Sequence, residues 1–231
     1  MLQRAALAAL LALLLGCGTS QRVQPAYTAV EAEPSLREIA RLVEEVRATS
    51  YPQLVTVPIK VESMQSDYVF FETRFTIASY LSARTLRYMI FFNSEAMKRG
   101  VPPVGLKAII AHELAHIDYY RAQSRMGLLS LARLVLPSFN TRFERQADLE
   151  AIALGYGPGL EEFRKWLYVN IPADRVTEKK RDYYAPEEID AILSVERTNP
   201  KIMHTFERCV PRNLAEITRA ARNEEAPCRS Y

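Results

Sequence analysis

The chain has 231 residues, 48% of them hydrophobic and 25% charged, which supplies apolar material for one buried core and little for a second. Its formal charge is +3, its lysines and arginines are spread along its length, and no basic run is interleaved with aromatic residues. Nucleic acid is thereby excluded as an expected partner.

The N-terminus reads as a targeting segment outside the fold. In MLQRAALAALLALLLGCGTS one cation, Arg4, precedes an apolar run from Ala5 to Leu15. A run of about 11 residues is too short for a helix to cross a bilayer. It ends in Leu-Leu-Gly-Cys, which resembles the lipobox of bacterial lipoproteins. The resemblance implies a signal peptide over residues 1–16, cleavage before Cys17, lipidation of that thiol and a polar tether over 17–33. Loss of Arg4 lowers the formal charge from +3 to about +2. Gly18 stands where an inner-membrane retention signal would place aspartate, which points to the outer membrane, with the domain facing the periplasm. An ordinary secretory signal or a short membrane anchor, with Cys17 there by chance, is the alternative.

Residues 34–231 read as a single domain. Leu36, Ile39, Ala40, Val43 and Val46 have helical spacing, with Ser35 as a cap. Three β-rich runs follow. LVTVPIKVE puts Val55, Val57, Ile59 and Val61 on one face, YVFFETRFTI alternates Val69, Phe71, Thr73, Phe75 and Ile77, and LRYMIFFN is aromatic and β-rich. They predict a small antiparallel sheet. Pro103 then opens a helix with an apolar stripe of Leu106, Ile109, Ile110, Leu114 and Ile117. The short apolar segment 127–136 stops at Pro137, and Thr141 caps a helix running to Leu154 before Gly155 and Gly157. Further helices are expected at 158–170, 186–197 and 211–223. The highly charged stretch 174–184 reads as a solvated loop, with a lid as the lesser reading. Helix, small sheet, then helices make the class α+β. With Cys17 lipidated, Cys209 and Cys228 are the two cysteines left, and export suggests a disulfide between them; two free thiols are the alternative.

His112, Glu113 and His116 spell H-E-x-x-H inside the helix that Pro103 opens. Residues four apart share a helical face, so both imidazoles can reach one metal ion, while Glu113 can take a proton from a water that the metal activates. The motif sits opposite the apolar stripe; a surface helix with chance histidines is the bland reading. A catalytic zinc needs a third protein ligand. No third histidine follows in register, and Asp118 is too close in sequence. In NTRFERQADLEAIALG, Glu144 and Asp148 are four apart. Glu144 would complete the ligand set, and Asp148 could accept the free N–H of a ligating histidine. The competing reading is a solvated carboxylate pair beside Arg142 and Arg145.

AIIAHELAHI followed by TRFERQAD resembles the gluzincin metallopeptidases of the HtpX and CAAX-prenyl-protease type. The resemblance spans roughly residues 85 to 170. It implies a zincin-like domain, zinc held by His112, His116 and Glu144, and Glu113 as catalytic base. FFNSEAMKRGVPPVGLKAIIAHELAH is similar to the family's strand, loop and helix, and the strand is implied to line the cleft and pair with an extended peptide. LGYGPGLEEFRKWLY resembles the turn and helix after the third ligand. The interval between His116 and Glu144 is short for the family and contains no membrane-length span. The family's asparagine-alanine pair is not visible, and Asn199 replaces the histidine of its threonine-histidine-proline.

An oxyanion-stabilising donor is also needed. His204 is the remaining histidine and a candidate, beside a structural role for it; Tyr119, Tyr120, Tyr183 and Tyr184 are unranked alternatives. The expectation is a lipid-anchored zinc endopeptidase acting on protein or peptide substrates, with misfolded envelope proteins the class implied by the resemblance. A lipid-anchored chaperone or assembly factor with little proteolysis is the second reading, and a hydrolase of a non-peptide bond the weakest.

Overall fold

The structure, a computed structural model, describes residues 34–82 and 85–222. The signal segment, Cys17, the tether and Cys228 lie outside the described residues. Cys209 is disulfide-bonded.

Helix α1 (Pro34–Ser50) buries Ile39, Leu42, Val43 and Val46 at the three-and-four spacing the sequence shows. It begins at Pro34, so Ser35 lies inside the helix. After it, fully buried Tyr51 donates its hydroxyl to the Ala111 carbonyl at 2.8 Å, tying α1 to the helix that carries the motif.

The class is α+β, mainly helical with one three-stranded sheet, and the sheet is mixed rather than purely antiparallel. Strands β1 (Ile59–Ser63), β2 (Phe71–Phe75) and β3 (Tyr88–Phe92) lie in the order β1-β3-β2. β3 runs antiparallel to β2 and parallel to β1. Strand alternation specifies which side chains face the core but not the order of strands. Here the chain passes through a short helix α2 (Ile77–Ser82) and returns β3 between its two predecessors. Phe71 and Thr73 of β2 and Tyr88, Ile90 and Phe92 of β3 are buried, as period two predicts.

After α3 (Glu95–Lys98) comes α4 (Pro103–Ala122), the centre of the molecule. Every residue from Ala108 to Ile117 is buried. The bland reading of a surface helix with chance histidines is excluded: the middle of α4 is covered all round, on the side opposite the apolar stripe as well, and its histidines are interior groups. One covering element is α7 (Gly157–Asn170), which approaches closely because glycines meet it. A Cβ on Gly159 would lie 2.4 Å from the Val104 carbonyl oxygen, and one on Gly105 3.2 Å from the Phe163 Cβ.

The link from α4 to the second motif is a short helix α5 (Arg125–Leu128) and a 3-10 stretch (Leu129–Val135). Helix α6 (Pro137–Ala151) starts four residues before the predicted cap, with Pro137 in its first turn. Thr141 does not cap it. Its hydroxyl donates to Asp182 Oδ1 at 2.9 Å, and Asn140 Nδ2 to Asp182 Oδ2 at 3.1 Å. Asp182 ends α8 (Ala173–Asp182), so most of the expected loop at 174–184 is a helix tied to α6. A five-residue wide turn (Ile152–Tyr156), with Gly155 at φ +88°, joins α6 to α7.

Helices α9 (Pro186–Thr198), α10 (Ile202–Arg208) and α11 (Leu214–Ala221) close the fold around a second core of Tyr184, Ile189, Ile192, Phe206 and Ile217. α10 is absent from the sequence reading. α11 begins three residues later than expected, at Leu214, behind the cap Asn213, whose side chain accepts from the Glu216 N–H at 3.0 Å. Among the described residues no helix is long and apolar enough to cross a membrane.

Candidate metal centre

α4 presents His112 and His116 on one face, and α6 brings Glu144 against them. His112 Nε2 and His116 Nε2 are 3.1 Å apart, and each is 3.2 Å from Glu144 Oε2. These three form a group that could hold a metal ion. The distances fit one: a tetrahedral site with bonds of about 2.0 Å has edges of about 3.3 Å. Three electron-rich atoms so close repel one another unless a proton or cation lies among them.

Their surroundings hold these three side chains in place. His116 stacks on Phe143, with ring centroids 4.5 Å apart and 14° between planes. His112 Nδ1 lies 2.8 Å from Asp148 Oδ1, which leaves Nε2 for the cluster. Asp148 is fully buried and satisfied: Arg164 Nη2 donates to Oδ1 at 2.8 Å, and the Tyr184 N–H to Oδ2 at 3.0 Å. The solvated-carboxylate reading fails here, because the neighbouring Arg145 is also buried. It pairs with Glu188 at 3.2 Å and lies over the Tyr184 ring at 4.6 Å.

Glu113 is 4% exposed and lines a pocket beside His112. Thr73 of β2 donates its hydroxyl to the Glu113 carbonyl at 3.2 Å, fixing this turn of α4 against the sheet. The rest of the pocket comes from Tyr68 to Phe71, from Phe163, Arg164 and Leu167 of α7, and from Lys179 and Tyr183 at the end of α8. Burial pushes the Glu113 carboxyl above its ordinary value, against the pull of His112 and His116. A base with a raised pKa is better matched to proton transfer near neutrality.

Burial also opposes charge on His112, but Asp148 and Glu144 outweigh it and raise the imidazole pKa from 6.5 to about 9. The folded metal-free protein therefore holds a proton that the unfolded chain releases at lower pH. The stability this proton contributes is complete below about pH 6.5 and lost as pH rises through about 9. Thermal unfolding of metal-free protein is expected to show a falling Tm across that window. The fall should shrink once metal replaces the proton. A Tm that rises from pH 6.5 to 9 without metal would contradict the arrangement.

The structure does not bring His204 to this centre. It lies on α10 with its side chain 83% exposed and Nδ1 3.5 Å from Glu207, one turn away. No buried donor role is open to so exposed a ring. Of the four tyrosines, Tyr183 lines the pocket, with its ring centroid 5.8 Å from that of His112. Tyr184 is buried with its hydroxyl on the Pro211 carbonyl, Tyr120 stacks beside His116, and Tyr119 packs edge-on against Phe143. The strand expected to receive a peptide, β3, has partners on both edges, whereas β2 has one, and the pocket is lined by Phe71 at the start of β2 and by the three residues before it.

Arg164 is the residue the sequence reading missed. The signal was present: Leu160, Phe163 and Leu167 form an apolar stripe, and Arg164 lies within it. An arginine on a buried face requires a buried acid, and Asp148 is that acid.

No protein-family model, no curated protein and no solved structure matches the chain.

Proposed function

We propose that this protein is a zinc-dependent endopeptidase of the gluzincin type, anchored by lipid at Cys17 and facing the periplasm. The observation that carries the reading is the set of near-equal 3.1–3.2 Å edges among His112, His116 and Glu144, beside a buried glutamate in the position of a base. Two imidazoles and one carboxylate are the donor set of catalytic zinc sites, which keep a fourth position open. Zinc bound there would supply Lewis acidity toward a water and a substrate carbonyl. Glu113 takes the proton of the attacking water and returns it to the departing amine. Asp148 holds His112 in the tautomer that ligates, and Arg164 holds Asp148. The outer edge of β2 offers backbone groups to an extended peptide, and Tyr183 is the phenol best placed beside a developing oxyanion. Protein in the cell envelope is the substrate class.

One observation favours the second reading, a scaffold with little proteolysis. Lys179 and Tyr183 of the α8 end line the pocket over a base that is nearly buried.

The first test is metal content. Wild-type protein should bind about one zinc per chain, and Glu144→Ala should weaken binding at least 100-fold, by removal of a direct ligand in a buried site. A well-folded wild-type protein that takes up no zinc when offered it would overturn the reading.

A further inference from the structure

The connection between the two ligand helices has a second character. From residue 119 to 143 the chain carries four arginines, Arg121, Arg125, Arg133 and Arg142, and no acidic residue. Leu128 and Leu131 turn inward to the core, but Met126 is 75% exposed, and Val135 and Leu136 are half-exposed. Leu81, 63% exposed, follows Tyr80, which contacts Arg125 of this connection. Tyr80 donates its hydroxyl to the Arg125 carbonyl at 3.0 Å, and the Arg125 guanidinium donates to the Tyr80 carbonyl. Arg133 lies over the Phe139 ring at 4.9 Å. Neither Arg125 nor Arg133 has a carboxylate partner among the described residues.

Arg121 is paired with Asp118 at 3.3 Å, which leaves Arg125 and Arg133 as the guanidinium groups beside the exposed apolar side chains. Flexible apolar side chains rimmed by two such guanidinium groups suit the headgroup region of an anionic bilayer. The apolar groups enter the acyl boundary, and the arginines meet phosphates. We infer that the α5 connection, together with Leu81, docks the domain on an anionic phospholipid surface. The inference does not depend on zinc or on hydrolysis. Its consequence for the metal group follows from helix geometry. Glu144 is seven residues into α6 from Pro137, and His116 six residues before the end of α4 at Ala122, which at 1.5 Å per residue is about 10 Å. Docking would hold the centre close above the headgroups, within reach of chain segments that emerge from the membrane.

The test uses the full-length chain with vesicles of phosphatidylcholine, and of phosphatidylcholine with phosphatidylglycerol. Oxidation of Met126 by chloramine-T is followed by mass spectrometry, with half-buried Met64 as the internal reference. Binding through the N-terminal apolar run is common to both vesicle types and cancels in the comparison. Docking predicts that phosphatidylglycerol slows oxidation at Met126 about fivefold or more and leaves Met64 unchanged. Each arginine removed lowers partitioning about fivefold, so R125Q/R133Q should lower it roughly 25-fold and restore the Met126 rate. Both arginines are exposed, and far-ultraviolet circular dichroism checks that the double variant stays folded. Equal Met126 rates in the two vesicles would overturn the inference. So would slowing that grows with protein concentration in the absence of phosphatidylglycerol, because a second copy of the chain would then be the occupant.

Discussion

Glu113→Gln is expected to bind zinc as the wild type does and to lose peptide hydrolysis by about a thousand-fold, within the range general bases contribute. The substitution keeps side-chain size and removes only the ability to take a proton. The fold should tolerate it. Thr73 donates to the Glu113 backbone carbonyl, so that contact survives, and burial already works against the carboxylate, so a neutral amide is less costly there. Glu113 is not among the three atoms that converge, so metal binding should be unchanged. Paired measurements of bound zinc and cleavage of an unfolded protein substrate would decide the matter. Hydrolysis retained beside normal zinc would remove Glu113 from the base's role. Absence of hydrolysis in wild type and variant alike, with zinc bound in both, would favour the scaffold reading.

The second large effect is on stability. Arg164→Met is expected to cost about 3–5 kcal/mol in metal-free protein, the usual result of removing one partner of a buried ion pair. Arg164 and Asp148 are both almost wholly buried, 2.8 Å apart, and the guanidinium also covers the Tyr183 ring at 4.3 Å. Methionine fills much of the space but leaves Asp148 with only the Tyr184 N–H and His112 to balance its charge. Zinc should return part of the loss, because a cation on His112 favours charge on Asp148. Arg164→Lys should recover less than its charge suggests, since an ammonium lacks the planar fork that serves acid and ring together. Denaturant unfolding with and without zinc measures this. A cost below about 1 kcal/mol would show that Asp148 is held without Arg164.

Local periodicity makes part of the fold and of the site legible in the chain. H-E-x-x-H places His112 and His116 on one face because a helix repeats every 3.6 residues, and the same rule pairs Glu144 with Asp148. Alternation gave the sides of β2 and β3 that face inward. Long-range packing set the rest. It placed β3 between β1 and β2, because strand order depends on how α2 returns the chain and not on alternation within a strand. The close seat of α7 on α4 comes from glycines on both helices that let the two backbones meet, a contact about 55 residues long in sequence, while α1 and the sheet cover other faces of α4. Helix α8 forms where charge alone suggests a loop, since Asp182 finds Asn140 and Thr141. His204 and Arg164 exchange importance for the same reason. Residue chemistry marks a histidine as a candidate and an arginine as surface, but long-range packing leaves His204 in water and sets Arg164 against Asp148 behind His112.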